Sequence, residues 1–255
     1  HQSSLTDAIR KIDVRSVQEI LEKQSFDINE VDKLGWTPLH FTTSSGPRLE
    51  LSELLLQFGF DPNKQNEDGN TPLHFLVREK GKQKDRDQEK SRSLIRILNA
   101  FLAKKADTNI LNMNGESPLH LACFQGNQEI VNLLLAYDAD LNLKTKDGEG
   151  CLHYAVRGGK IDTVKFLLER YNMNPNELSG SGASPTDIAI SLNQDEIVAV
   201  LRVASSLSVS TEFSGPNLRS SWFIKVKGKN NFSMSTCDKS TRNLLSMLDS
   251  DEEDE

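Results

Sequence analysis

The sequence predicts an all-α solenoid of about six helix-turn-helix repeats joined by short β-hairpin turns. Three observations carry the prediction. The tetrapeptide Thr-Pro-Leu-His stands at 37–40 and 71–74, one step away at Ser117-Pro118-Leu119-His120, and more worn at Gly150-Cys151-Leu152-His153. A glycine lies two residues before each copy, and these glycines (Gly35, Gly69, Gly115, Gly148) are 34, 46 and 33 residues apart. Each copy is also followed by a second apolar stretch at a similar offset. Self-similarity at a fixed period, here near 33 with one insertion of about 13 residues, signals units that stack on one another.

Each element of the unit has a local cause. Glycine allows a tight turn at positive φ, where a Cβ would clash. Thr or Ser is an N-cap residue whose hydroxyl can accept from an amide of the first helical turn. Proline suits the first helical position, where its missing N–H is not needed. Leucine opens the buried stripe. The second helix carries Leu54-Leu55-Leu56, Ala100-Phe101-Leu102, Leu133-Leu134-Leu135 or Phe166-Leu167-Leu168. Each unit then closes on an Asp/Asn cluster, such as Asp61-Pro62-Asn63, Asp107-Thr108-Asn109 or Asp140-Leu141-Asn142, which reads as a turn leading to the next glycine.

This pattern resembles the ankyrin-repeat family, most closely over residues 112–144, NMNGESPLHLACFQGNQEIVNLLLAYDADLNLK. Gly182-Ala183-Ser184-Pro185-Thr186-Asp187 has the altered signature of a last repeat, and residues 4–32 keep a helix-turn-helix pattern suited to an N-terminal cap. The resulting units are about 4–32, 33–66, 67–112 with an insertion at 80–92, 113–145, 146–179 and 180–204. Residues 205–255 follow as a tail. The array spans roughly four-fifths of the chain, and the resemblance implies a protein-binding scaffold rather than any one partner.

Composition narrows the function classes. The net charge of −7 lies largely in the run Asp249-Ser250-Asp251-Glu252-Glu253-Asp254-Glu255, and a pI near 5.4 argues against nucleic-acid binding. No apolar run approaches the length of a membrane span. The start, His1-Gln2-Ser3-Ser4, is polar, so no secretory leader is expected, and beginning at His suggests a fragment. Three cysteines give no disulfide framework, and Cys123 and Cys151 fall at repeat positions that carry small or turn residues in the family. A reducing, cytoplasmic setting follows as an expectation.

Histidine would be the first catalytic candidate, yet His40, His74, His120 and His153 all occupy one slot of the repeat. A residue in register with a structural repeat serves the structure; in the family this imidazole ties a hairpin to the helix beside it. No zinc spacing, phosphate loop, Rossmann fingerprint, nucleophile elbow or kinase signature set is present. Gly180-Ser181-Gly182 falls at a repeat junction and reads as a turn. The expectation is a non-enzyme with no cofactor and no metal, acting as a monomeric array on protein partners.

The resemblance places the contact positions beside the turn glycine and at the end of the first helix of each unit. Carried onto this chain they include Lys33, Trp36, Arg78, Met113, Glu116, Phe124, Gln125, Lys146, Glu149 and Arg157. Aromatic and Arg residues dominate interface hot spots, which makes Trp36, Phe124 and Arg157 the preferred anchors. The alternatives are that Trp36 packs over the neighbouring hairpin and that Phe124 is partly buried against the next helix.

The insertion at 80–92 has six basic and three acidic residues and nothing apolar to bury. It is either a tolerated solvated loop or a docking loop for an acidic partner, with a lengthened second helix expected from near Asp85. Residues 205–255 contain 12 serines and no repeat signature. Within them, 222–227 alternates apolar and basic residues as a short strand would, serving as a cap, an added strand or the start of a further domain. Leu244-Leu245-Ser246-Met247-Leu248 precedes the acidic run in the manner of a short docking motif. Ser250 resembles an acidophilic-kinase site. The expected function is an intracellular scaffold, adaptor or targeting arm; the alternative is the non-catalytic regulatory segment of a larger signalling enzyme, a kinase or GTPase regulator.

Overall fold

The computed structural model describes residues 5–209, apart from 24, 25, 29, 45–47 and 79–87. Among the described residues the chain forms twelve helices, arranged as six successive pairs. The pairs are α1 (Leu5–Arg10) with α2 (Val14–Glu22), α3 (Pro38–Ser44) with α4 (Leu49–Gln57), and α5 (Pro72–Arg78) with α6 (Gln88–Ala103). They continue as α7 (Pro118–Gln125) with α8 (Gln128–Ala136), α9 (Cys151–Arg157) with α10 (Ile161–Tyr171), and α11 (Pro185–Ser191) with α12 (Asp195–Val209). The first helices of the pairs pack in series, α1 on α3 through to α9 on α11, and α2, α4 and α6 form part of a second row behind them.

The apolar stripes supply the core of each layer. Leu39, Leu73, Leu119 and Leu152, one per Thr-Pro-Leu-His copy, are all buried, as are Leu55, Phe101, Leu134 and Leu167 of the facing helices. Each fully buried leucine contributes on the order of 1.5–3 kcal/mol. Only part of this burial arises between the two helices of one unit, and the rest requires a neighbouring layer. No described helix is long and apolar enough to cross a membrane.

The hairpin turns close by two backbone bonds each, and they meet their neighbours through one more. In the fourth unit Asn112 N donates to Glu116 O at 2.9 Å and Gly115 N to Asn112 O at 2.9 Å. Across the junctions Glu67 N donates to Leu34 O, Met113 N to Asp68 O, Lys146 N to Asn114 O and Gly180 N to Asp147 O, at 2.7–3.0 Å. One bond per junction does not make a ladder, and among the described residues there is no strand. The expected β-hairpins are therefore tight turns strung side by side. The same close approach explains the glycines. Gly115 has φ +76°, and a Cβ on it would lie 2.7 Å from Lys146 N.

The histidines form the second tie between layers. Nδ1 of His40 accepts from Thr37 N (3.0 Å) and from the Thr37 hydroxyl (2.8 Å), and Nε2 donates to Asn70 O of the next unit (3.0 Å). His74 repeats this with Thr71 and Glu116 O, and His120 with Ser117 and Leu143 O. Because a backbone N–H can only donate, Nδ1 must be unprotonated and Nε2 must carry the hydrogen. The threonine hydroxyl thus points to the imidazole, a departure from the simple capping role expected of it. Ser117 also accepts from His120 N, at a long 3.4 Å, and Ser184 from Asp187 N at 3.2 Å. In the worn fourth copy, His153 Nδ1 still accepts from Gly150 N at 3.2 Å, but its buried Nε2 makes no well-formed hydrogen bond to the Glu177 backbone beside it. In the last unit Asp187 takes the slot and holds Ser184 N and Oγ, so the altered signature keeps the inward half of the interaction and drops the outward half.

The Asp/Asn clusters are a third tie. Asn63 Nδ2 donates to Lys105 O and its Oδ1 accepts from Asp107 N; Asn109 bridges to Asp138 O and Asp140 N in the same way, at 2.7–2.9 Å. What reads as a turn is also an asparagine link from layer to layer.

Helix α6 has 16 residues where α4 and α8 have 9, so its described first turn comes from the insertion; Asp85, where its start was expected, lies outside the described residues. Residues 80–87 of the insertion lie outside the described residues. Helix α12 continues through Val209, five residues beyond the boundary set at 204. Serines are no obstacle there: Ser205 and Ser206 donate their hydroxyls to Leu201 O and Arg202 O, within the helix itself. The strand expected at 222–227 and the modification site at Ser250 lie outside the described residues.

Two outcomes test this account. Gly115→Ala is expected to cost more than about 1–2 kcal/mol, read by denaturant unfolding, because it combines a left-handed backbone with a backbone clash; a neutral result would remove the close-approach argument. Burial lowers the pKa of His40, His74 and His120 to about 4, despite each carbonyl contact. Since the unfolded histidines titrate near 6.5, their contribution is fully present above that pH and is lost as pH falls from about 6.5 to 4. The melting temperature should drop across that window, and His74→Gln should flatten the drop.

Candidate functional site

Stacking aligns equivalent positions of successive units, and the residues that end the inner helices form one row: Ser44, Arg78, Phe124, Arg157 and Ser191. Beside it run the residues that follow the turn glycines, Trp36, Asn70, Glu116, Glu149 and Ala183. Side chains of the two rows meet.

At the centre, Glu116 is nearly covered, its side chain 12% exposed. Its carboxylate accepts from Asn112 Nδ2 (2.7 Å), from Tyr154 Oη (2.9 Å) and, at 3.4 Å, from Asn114 Nδ2. Arg78 Nη2 stands 3.7 Å away. Burial works to raise the Glu116 pKa, but these donors and the Arg78 charge outweigh it and hold the carboxyl below its ordinary value. Burial, and then the bond to Glu116, push the Tyr154 phenol upward. One carboxylate therefore joins the third, fourth and fifth units, from Arg78 on α5 to Tyr154 on α9.

In the next layer Glu149 is buried and accepts from Arg157 Nε (2.8 and 3.1 Å) and Nη2 (2.5 Å). The bidentate bond to Glu149 raises the Arg157 pKa further. It also fixes the guanidinium plane while leaving the side chain 47% exposed.

The residues named from sequence thus divide. Arg78, Phe124 (41% exposed), Met113 (63% exposed) and Arg157 present surface, as do Lys33 and Lys146 at the turn tips. Gln125 is half-buried. Glu149 and Glu116 are not open contacts, contrary to expectation: each faces inward as the support for an arginine. Trp36 is half-buried, its ring 4.7 Å from Phe75 and 5.2 Å from Phe41, so it packs over the neighbouring unit. Tyr154 and Asn112 were not picked out. Aligning the fourth helical slot of the copies (Phe41, Phe75, Leu121, Tyr154, Ile188) would have singled out the one hydroxyl in an otherwise apolar row.

A family model described as Ankyrin repeats (3 copies) matches residues 5–85, 90–178 and 138–210. The chain belongs to the ankyrin-repeat family. The break between the first two matches falls in the charged insertion, where this ankyrin-repeat chain departs from the period. A comparison with curated proteins gives no match. Repeats of this family are in general protein–protein interaction modules, typically without catalytic activity of their own.

The burial asymmetry of the Glu149–Arg157 pair makes a directional prediction. Arg157→Ala strands a buried carboxylate and should cost about 2 kcal/mol, whereas Glu149→Ala leaves a half-exposed cation and should cost about 1 kcal/mol. Paired denaturant titrations measure both, and the reverse order would show that Glu149 is more hydrated than its geometry implies.

Proposed function

We propose that this chain is a scaffold, adaptor or targeting module that recognises a protein partner on its inner-helix face. The observation that supports the reading is the row Arg78, Phe124, Arg157. An exposed aromatic ring stands between two guanidinium groups; that of Arg157 is held by hydrogen bonds to the buried Glu149, and that of Arg78 lies 3.7 Å from the largely covered Glu116. Arginine held in place by a partner loses less side-chain entropy on binding than a free one, and aromatic and Arg residues are the commonest hot spots. The partner this row suits is an acidic surface with an apolar centre. The cytoplasmic setting belongs to the same proposal, supported by Cys123 and Cys151, which are buried free thiols.

Affinity capture with the full chain tests the reading. Phe124→Ala and Arg157→Lys should each weaken capture of the principal partner about tenfold or more, with the melting temperature of the Phe124 variant unchanged. Undiminished affinity in both variants would place the contact surface elsewhere.

A further inference from the structure

A cleft of about 400 Å³ opens between the first two units, lined by Arg10, Trp36, Phe41, Ser44 and Arg48. Its chemistry differs from that of the central row. There, Arg157 is hydrogen-bonded to a buried carboxylate; here, among the described residues, the lining holds two arginines and no acidic residue. Arg10 stacks over the Phe41 ring, 4.7 Å from its centroid, and its Nη2 lies 3.8 Å from Asp32 Oδ2. That separation exceeds the 2.7–2.9 Å of a charge-assisted hydrogen bond. The other Asp32 oxygen already accepts from Leu34 N and Trp36 N. Arg48 donates one Nη1 hydrogen to the neutral Ile9 carbonyl at 2.9 Å, out of five N–H groups. Among the described residues, the cleft therefore sets two guanidiniums beside two half-buried aromatic rings. It calls for a segment with apolar residues next to acidic ones.

This chain contains such a segment. Leu244, Leu245, Met247 and Leu248 are followed by six acidic residues in positions 249–255. Reach is no obstacle. Leu244 lies 35 residues after Val209, and an extended chain of that length spans up to about 115 Å. Layers of helices about 8–10 Å apart put the last unit roughly 40–50 Å from the cleft. We propose that the cleft between the first two units docks residues 244–255 of the same chain, apolar residues on Trp36 and Phe41 and acidic residues on Arg10 and Arg48. The contact folds the tail back onto one end of the array. It does not depend on the partner row at Arg78, Phe124 and Arg157, so either proposal can fail alone.

The test is photo-crosslinking in the full chain, with p-benzoylphenylalanine replacing Met247. Crosslinks within one chain should map to peptides containing Trp36, Phe41 or Arg48. Their yield should fall about fivefold or more in each of two second backgrounds. One is Arg10→Ala with Arg48→Ala; the other replaces the six acidic residues of 249–255 by their amides. The second leaves the cleft intact, so the test stands even if loss of the Arg48–Ile9 contact impairs folding. Crosslinks to other faces, crosslinks only between copies, or a yield unmoved by amidation of the acidic run would each overturn the proposal.

Discussion

The array depends on a hydrogen bond donated by a buried, neutral imidazole to a backbone carbonyl in or just before the next hairpin. His40, His74 and His120 each make it, to Asn70, Glu116 and Leu143. Its value lies in having both ends satisfied. Nδ1 accepts from the N-cap amide of its own helix, which would otherwise be an orphan donor, and that bond fixes the tautomer that frees Nε2–H to donate outward. A single side chain thus caps one helix and sets the distance to the next hairpin. Charging the ring would remove the acceptor and bury a cation, which is why burial holds these groups far below the ordinary histidine range.

The other ties act at the same junctions. A hairpin amide reaches back to the preceding turn, an asparagine bridges the ends of the outer helices, and leucines fill the space between. The hairpin and asparagine ties join residues of different units, while the apolar packing also joins the two helices of one unit. Stability of this kind is a sum over neighbours. It also accounts for the ends: Asp187 needs only the inward half of the imidazole's interaction, and α1 and α2 carry no Thr-Pro-Leu-His.

The proposed contact surfaces lie at the variable slots of the repeat. Once the imidazoles, glycines and leucines are assigned to the scaffold, the variable slots form a surface with two chemistries. In the middle, arginines are paired over buried carboxylates and flank an aromatic ring. At the first two units, two guanidiniums stand beside half-buried aromatic rings. In the first arrangement half-exposed guanidiniums stand over covered carboxylates.

The residues of the repeat signature were legible in the sequence because each acts locally: a turn glycine, an N-cap, a first-turn proline and a leucine stripe are dictated within a few residues of chain. That determined the fold class, the order of the units and the removal of four histidines from any catalytic role. Tertiary structure decided what lies across a junction. Glu116 occupies a slot that reads as exposed, but stacking brings Tyr154 onto it from the next unit, whereas Glu149 is covered from within its own unit by Arg157. Trp36 likewise gains Phe75 from 39 positions away and becomes half-buried. Spacing along one chain shows which residues share a unit. Which of them touch is decided by the neighbouring layer, because there the partner is supplied by sequence more than a full period distant.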